Sequence, residues 1–308
     1  MKKSKHDQHN PKFTPQMTIG QFERLFPDED ACRVYLASRR WPNGAVCPRC
    51  SKQDHVYSIA KPWHWECANP ECRKGNAYRF SLTVKTIFEN TKYPLRVWFH
   101  VLYLMLTSKK GISALQIQRM IGSGSYSTAF YVCHRLRAAM KDPEFRQLMG
   151  IVEIDETYVG GKERNKHVGK RGNWASQGKT EVIGAISRKG NVICQMIEEA
   201  DFTTYNNFVR QTVDSKVSLI ATDESYRYRS LNRMGFPHAF VTHKNDEYVR
   251  GEVHTQNIES FWSLLKRGII GTYHNVSKKY LPLYLAEFSF RFNNRHEPDI
   301  FGKAIAGC

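Results

Sequence analysis

The sequence predicts a multidomain chain: a small cysteine-bearing metal module and a helical region, followed by an α/β domain. Three observations lead there. Four cysteines fall in two close pairs within residues 47–72, residues 94–142 carry the apolar spacing of successive helices, and from residue 150 onward short strand-like apolar runs alternate with helical ones. At 308 residues the chain is long enough for more than one core.

Taken in order, residues 1–16 are polar and basic and read as a flexible arm. Residues 17–43 form an N-terminal helical segment, with Phe22, Leu25, Phe26, Val34, Tyr35 and Leu36 as its apolar positions and Pro27-Asp28 as a break. Residues 44–82 are turn-rich and hold the cysteine pairs. The region 94–142 reads as three helices, at 95–107, 112–121 and from 125 or 126 to 140. The first is apolar on most faces, so it is expected to be buried. In the last region, 150–302, strands are expected at 151–155, 182–187, 192–197, 217–221 and 239–242. Helices are expected there at 202–213, 258–266 and 281–293. No internal repeat interrupts this order.

Lys and Arg number 46 against 29 Asp and Glu, a formal charge of +17. A folded protein this basic attracts polyanions, and nucleic acid is the usual one. The aromatic content of 12% is too high for a disordered basic tail. No apolar run reaches the length of a membrane span, and residues 1–12 lack the apolar core of a signal peptide. The expected location is therefore the cytoplasm, on the nucleoid, where clustered cysteines mean metal more often than disulfides.

Cys47 and Cys50 are separated by two residues, Cys67 and Cys72 by four, and the pairs by 16. Such pairs can place four thiolates around one tetrahedral Zn²⁺, and the metal then supplies folding free energy that a turn-rich segment lacks. His55 or His64 could replace one thiolate, but four cysteines are the simpler set. A closed four-ligand site is structural. Arg49 and its basic and aromatic neighbours fit either a DNA-contacting surface or a solvated rim.

Residues 111–122 followed by 125–137 have helix-turn-helix proportions, with Ile112, Leu115, Ile117, Met120 and Ile121 as apolar anchors and a glycine-rich turn between. The second helix would present Ser125, Tyr126 and Thr128 to base edges, with Arg135 and Arg137 toward phosphates. A plain three-helix packing unit is the alternative. Lys162, Arg164, Lys170 and Arg171 follow the strand at 151 and read as a phosphate-gripping loop or an exposed charged one.

Three acids stand out by context. Asp155 ends one apolar run, Asp223 follows another 68 residues on, and Glu259 lies 36 residues further at the start of a helix. Two strand-end aspartates and a helix-borne glutamate can meet at one sheet edge and hold two hard divalent cations, Mg²⁺ or Mn²⁺, through oxygen. Such a pair stabilises the attacking and leaving oxygens of in-line phosphoryl transfer. Glu153, Glu156 and Glu224 are rivals. Strand alternation disfavours Glu156 and Glu224, whereas Glu153 shares a face with Asp155.

The block Val152-Glu-Ile-Asp155-Glu-Thr-Tyr-Val-Gly-Gly-Lys162 resembles the first catalytic block of a family of bacterial insertion-sequence transposases (ISXO-like) that join a zinc ribbon and a helix-turn-helix to an RNase H-like DDE core. Thr222-Asp223 resembles the second block. His254-Thr-Gln-Asn-Ile-Glu259-Ser-Phe-Trp-Ser-Leu-Leu-Lys266-Arg-Gly268 resembles the third, the most specific of them. The resemblance spans residues 20–302 in order. It implies an RNase H-like fold, a triad of Asp155, Asp223 and Glu259, and Lys266 as the basic residue beside it. The chain departs from the family in Asp223-Glu224 where Asp-Gly is usual, in the wider second cysteine pair, and in Gln256 where Asn is common, so residue 256 stays open as the third ligand.

The resulting expectation is a DNA transposase that binds the ends of an insertion sequence and performs metal-dependent strand cleavage and transfer. Its partners would be double-stranded DNA, at element ends and target, and a second copy of the chain on that DNA, with no membrane. The alternative is a zinc-containing DNA-binding regulator with an inactive transposase relic.

Overall fold

Helix caps set where the first elements begin. The computed structural model describes residues 17–73, 75–141, 146–161, 178–188, 190–241 and 253–308. The arm 1–16 and the loop residues Lys162, Arg164, Lys170 and Arg171 lie outside them. Thr18 accepts the Gln21 N–H while the Gln21 side chain accepts the Thr18 N–H at 2.7 Å, a capping box that starts α1 (Ile19–Leu25). Asp28 accepts the Ala31 N–H at 2.8 Å and starts α2 (Glu29–Arg40), so the Pro27-Asp28 break falls where the sequence put it.

The chain packs as two units. In the first, β1 (Val56–Ser58), β2 (His64–Cys67) and β3 (Tyr78–Ser81) form a small antiparallel sheet around the cysteines. Then comes α3 (Leu95–Thr107), which follows Pro94 and has no side-chain cap of its own. Glu29 of α2 takes that place, accepting the N–H groups of Leu95 at 2.9 Å and Arg96 at 3.0 Å. As its apolar sequence requires, α3 is buried, with Trp98, Phe99, Val101, Leu102 and Met105 almost inaccessible.

Helices α4 (Ala114–Ile121) and α5 (Tyr126–Ala139) are joined by a turn in which Gly122 takes φ +65°, open to glycine without strain. Ile112 and Ile117 are buried, but Leu115 and Met120 are about half exposed, so only part of the expected anchor set is core. The last helix, α9 (Ile300–Ala306), starts at Asp299, which accepts the Gly302 N–H. Its Phe301 packs on Phe26 and Phe99 at ring separations of 5.4 and 5.5 Å. Each such aromatic contributes on the order of 1.5–3 kcal/mol by leaving water. Residues 295–308 therefore belong to this unit, whereas sequence patterning carries the α/β region to 302.

The second unit is a five-stranded sheet in the order β6-β5-β4-β7-β8. Strands β4 (Ile151–Val159), β5 (Thr180–Ser187) and β6 (Val192–Ile197) form an antiparallel meander. After α6 (Phe202–Thr212), β7 (Leu219–Thr222) pairs parallel with β4, and β8 (His238–Phe240) parallel with β7. This is an RNase H-like sheet. Alternation divides its side chains. Val152, Ile154, Ile183, Ala185 and Ile220 pack on Tyr205, Phe208 and Val209 of α6. Val159, Val182 and Ile186 pack on Ile258, Phe261, Trp262 and Leu265 of α7 (Gln256–Gly268) and Leu285 and Phe288 of α8 (Leu281–Asn293). Gly184 is needed for that second contact, because a Cβ there would lie 2.6 Å from the Trp262 ring.

Candidate active site and metal centre

Four sulfurs meet in the small sheet. Cys47 Sγ lies 3.6 Å from Cys72 Sγ, and Cys50 Sγ lies 3.9 Å from Cys67 Sγ. A tetrahedral zinc with ligands at about 2.3 Å needs sulfurs about 3.8 Å apart, so the four cysteines fit it. All four lie within 4.8 Å of one another. Burial pushes the Cys47 thiol up, but the N–H groups of Cys50 and Arg49 together with the Cys67 and Cys72 thiols outweigh this and bring it down to about 7. Burial and the neighbouring sulfurs push Cys72 up to about 12. Four thiols this close hold protons on some and shed them from others, a tension that a dication relieves. His64 is not in the cluster, its Nδ1 facing the Pro62 carbonyl at 2.8 Å, and His55 is outside it too.

The expected DNA-facing residues separate. Ser125 and Tyr126 are exposed at the start of α5, and Thr128 is half-buried one turn on. Arg135 bonds the Tyr131 hydroxyl. Arg49 is exposed and stacks over the Tyr78 ring at 3.6 Å. Arg137 departs from expectation. It is 1% exposed and meets His134 Nδ1 at 2.8 Å inside the packing, where no phosphate reaches it. Helical period explains this, since 133, 136, 137 and 140 lie on the apolar side of α5.

In the α/β unit β4 does not end at Asp155; it runs on to Val159. Its pairing with β7 stops at Glu153 and Ala221, so Asp155 and Asp223 sit where those two strands part. Oxygens of Asp155, Glu156 and Asp223 all lie within 4.8 Å of one another. The alternation argument against Glu156 therefore does not hold. Its side chain starts on the α6 face but stands beside the gap past the end of β7, where an acid from either face can reach.

Burial, with Asp223 and Glu259 nearby, pushes Asp155 up to about 7. Burial, with Asp223 and Asp155, does the same to Glu156. Glu156 Oε1 has no hydrogen-bond donor among the described residues, and Arg227 Nη1 stands 3.6 Å away. Arg227 is itself committed to Glu181 at 2.6 Å and the Tyr205 hydroxyl at 2.7 Å. Crowded, half-buried carboxylates, with one oxygen left unpaired on Glu156, are a donor set suited to hard divalent cations.

A cleft of about 590 Å³ opens on these acids, lined by Asp155, Glu156, Trp262, Glu259 and Lys266, with Lys110 and Arg267 also on its wall. Glu259 lies one turn into α7, where Thr255 Oγ1 donates to its Oε1 at 2.7 Å. Lys266 follows two turns later, on the same side. Gln256 is exposed and does not line the cleft. Asn257 is occupied, donating its N–H at 2.8 Å and its side-chain amide at 2.7 Å to Glu153. Glu153, the favoured rival in the sequence, is 0% exposed and bound to other groups. Glu156, weighed in the sequence as a rival and disfavoured by strand alternation, is brought to the cluster, and Lys110 and Arg267 join the cleft wall without a sequence signal of their own.

Residues 147–293 match the ISXO2-like transposase domain, and residues 27–75 match the transposase zinc-ribbon domain. An uncharacterized protein in transposable element ISH50 of Halobacterium salinarum is 25% identical over 284 residues, covering 87% of this chain and 92% of that protein. A cryo-electron-microscopy structure of the simian T-cell lymphotropic virus intasome, in complex with PP2A regulatory subunit B56 gamma, aligns at 13% identity and a TM-score of 0.29. That alignment covers 56% of this chain and 63% of the other. Among the described residues no helix is long and apolar enough to cross a membrane. The cysteine pairs and the five-stranded sheet thus fall, in order, in a transposase zinc-ribbon domain and an ISXO2-like transposase domain, the two domains that this chain carries.

Proposed function

We propose that this protein is an active DNA transposase that binds the ends of its element and performs divalent-metal-dependent strand cleavage and strand transfer. The observation that carries this reading is the meeting of the Asp155 and Asp223 carboxylates at the edge of a cleft that Asp155 lines together with Glu259 and Lys266. Asp155, Asp223 and Glu259 would hold Mg²⁺ or Mn²⁺, which when bound stabilises charge on the attacking and leaving oxygens of phosphoryl transfer. Lys266 would bind a non-bridging phosphate oxygen on the same wall, with Lys110 and Arg267 holding the DNA backbone. The chain's own contribution is to position the phosphodiester and exclude bulk water around it. The zinc ribbon, with Arg49, and the start of α5, with Ser125, Tyr126 and Thr128, would recognise the element end, and Arg135 would contact phosphate. The basic residues Lys162, Arg164, Lys170 and Arg171 would add backbone contacts. Two ends must be joined to one target, so the working form is at least a homodimer on DNA, in the nucleoid.

The test is a strand-transfer assay with linear DNA carrying the element ends. Joined products with Mg²⁺, and none without it, are expected. End binding without any cleavage in Mg²⁺ or Mn²⁺ would overturn the reading in favour of a DNA-binding regulator.

A further inference from the structure

Helix α7 carries Glu259 and Lys266 but does not cap itself. The side chain of Thr255, at its N-cap, accepts no backbone N–H of the first turn and donates to Glu259 instead. The missing acceptor comes from β4. Glu153 Oε2 accepts the N–H groups of Asn257 at 2.8 Å and Ile258 at 3.2 Å, and Oε1 accepts the Asn257 side-chain amide at 2.7 Å. Arg188 Nε donates to the same Oε1 at 3.0 Å, and His254 Nδ1 lies 3.2 Å from it. Glu153 is wholly buried and sits two positions before Asp155 on one strand.

A buried carboxylate is costly unless its lone pairs are filled. Here they are filled by the first turn of a helix, where the dipole also favours negative charge. The first unit contains the same device in Glu29, which caps α3 after Pro94, but no acid of the cleft rides on α3. On α7 the capped turn is the one leading into Glu259. The clamp thus ties the helix that brings one acid to the strand that carries another.

We infer that Glu153 is a positioning residue for the metal site: it fixes the first turn of α7 against β4 and so sets the placement of Glu259 relative to Asp155. This rests on the proposed role of Glu259 as a ligand. Loss of the clamp would leave all the cleft acids present and one of them misplaced. Groups that orient metal ligands without touching the metal are worth about 10–100-fold in metal affinity.

The test titrates Mn²⁺ calorimetrically into the zinc-loaded full chain, comparing wild type, Glu153→Gln, Glu259→Gln and the double variant. The isosteric amide keeps one acceptor but turns an NH₂ group toward donors. We expect Glu153→Gln to weaken Mn²⁺ binding at least about 10-fold, well below its melting temperature. In the Glu259→Gln background the same change should cost less than about 2-fold, because both substitutions act through one group. A lower melting temperature with unchanged Mn²⁺ affinity would reduce Glu153 to a helix cap and overturn the inference. An equal loss in both backgrounds would overturn it too, placing the effect on Asp155 instead. If Glu259→Gln itself leaves Mn²⁺ binding intact, the ligand reading fails first and takes this inference with it. Should Glu153→Gln not fold, Arg188→Gln removes the charge that holds the carboxylate without touching α7, and the same pattern is expected at smaller amplitude.

Discussion

Asp155 and Glu156 are neighbours on β4, so they leave the strand on opposite faces, yet their carboxylates come within 4.8 Å of each other and of Asp223. Both are held near 7 by burial first, and then by the charge of Asp223, joined by Glu259 for Asp155 and by Asp155 for Glu156. A carboxyl raised from its unfolded value near 4 keeps its proton in the folded state while the unfolded chain has lost it. The folded state then binds more protons between about pH 4 and pH 7, so stability falls as pH rises through that window. In Mg²⁺-free buffer, Asp155→Asn should match wild type in melting temperature at about pH 4, gain on it up to about pH 7 and level off above that. Added Mg²⁺ should raise the wild type more than the variant at pH 8. A difference between the two proteins that does not change with pH would contradict the crowding of these acids.

Catalysis should separate from recognition. Asp155→Asn removes one carboxylate charge from the cluster in the α/β unit and leaves the zinc ribbon and α5 untouched. Cleavage should fall by at least about 10²-fold, the scale of lost electrostatic stabilisation, while end binding by gel shift stays near wild type. Wild-type cleavage by this variant would remove Asp155 from the site.

The third acid has a direct comparison. Glu259 lines the cleft with its carboxylate steadied by Thr255, whereas Gln256 is not on the cleft wall. Glu259→Gln should lower strand transfer by about 10²-fold or more, and Gln256→Ala by far less. The reverse ranking would move the ligand to residue 256.

Zinc removal should be felt locally. With four sulfurs at tetrahedral spacing, purified protein should carry about one equivalent of zinc. Stripping it should unfold residues 47–72, weaken specific end binding and leave the α/β unit folded. Limited proteolysis with mass spectrometry reads this out; cleavage spread evenly over both units would count against it.

Gly184 predicts a packing defect near the acids. It pairs with Asp155 across the β4–β5 ladder, and Trp262 rests on the space its side chain would fill. Gly184→Val should cost about 1–3 kcal/mol by overpacking, measured by urea unfolding, even though valine suits a strand. A neutral or stabilising result would mean that α7 can lift away from the sheet.

Much of this protein is legible in its residues because local chemistry fixes it. Cysteine spacing by itself marks the zinc ligands, since two pairs in a short turn-rich segment have few other uses. The Pro27-Asp28 break marks where α2 starts, and the apolar period places α3 and α8 at the residues expected. The acids Asp155, Asp223 and Glu259 are visible from the runs before and after them. What distance in sequence hides, only tertiary structure decides. It buries Arg137 and returns α9 to the first unit. It lets Glu156 join Asp155 from the opposite face, because β7 stops short. It also turns Glu153 from a rival ligand into the clamp of a helix that begins 103 residues after it. The period of a strand says which face a side chain leaves from; where it ends depends on which neighbouring strand stops and which helix end lacks an acceptor, and those are properties of the packed chain.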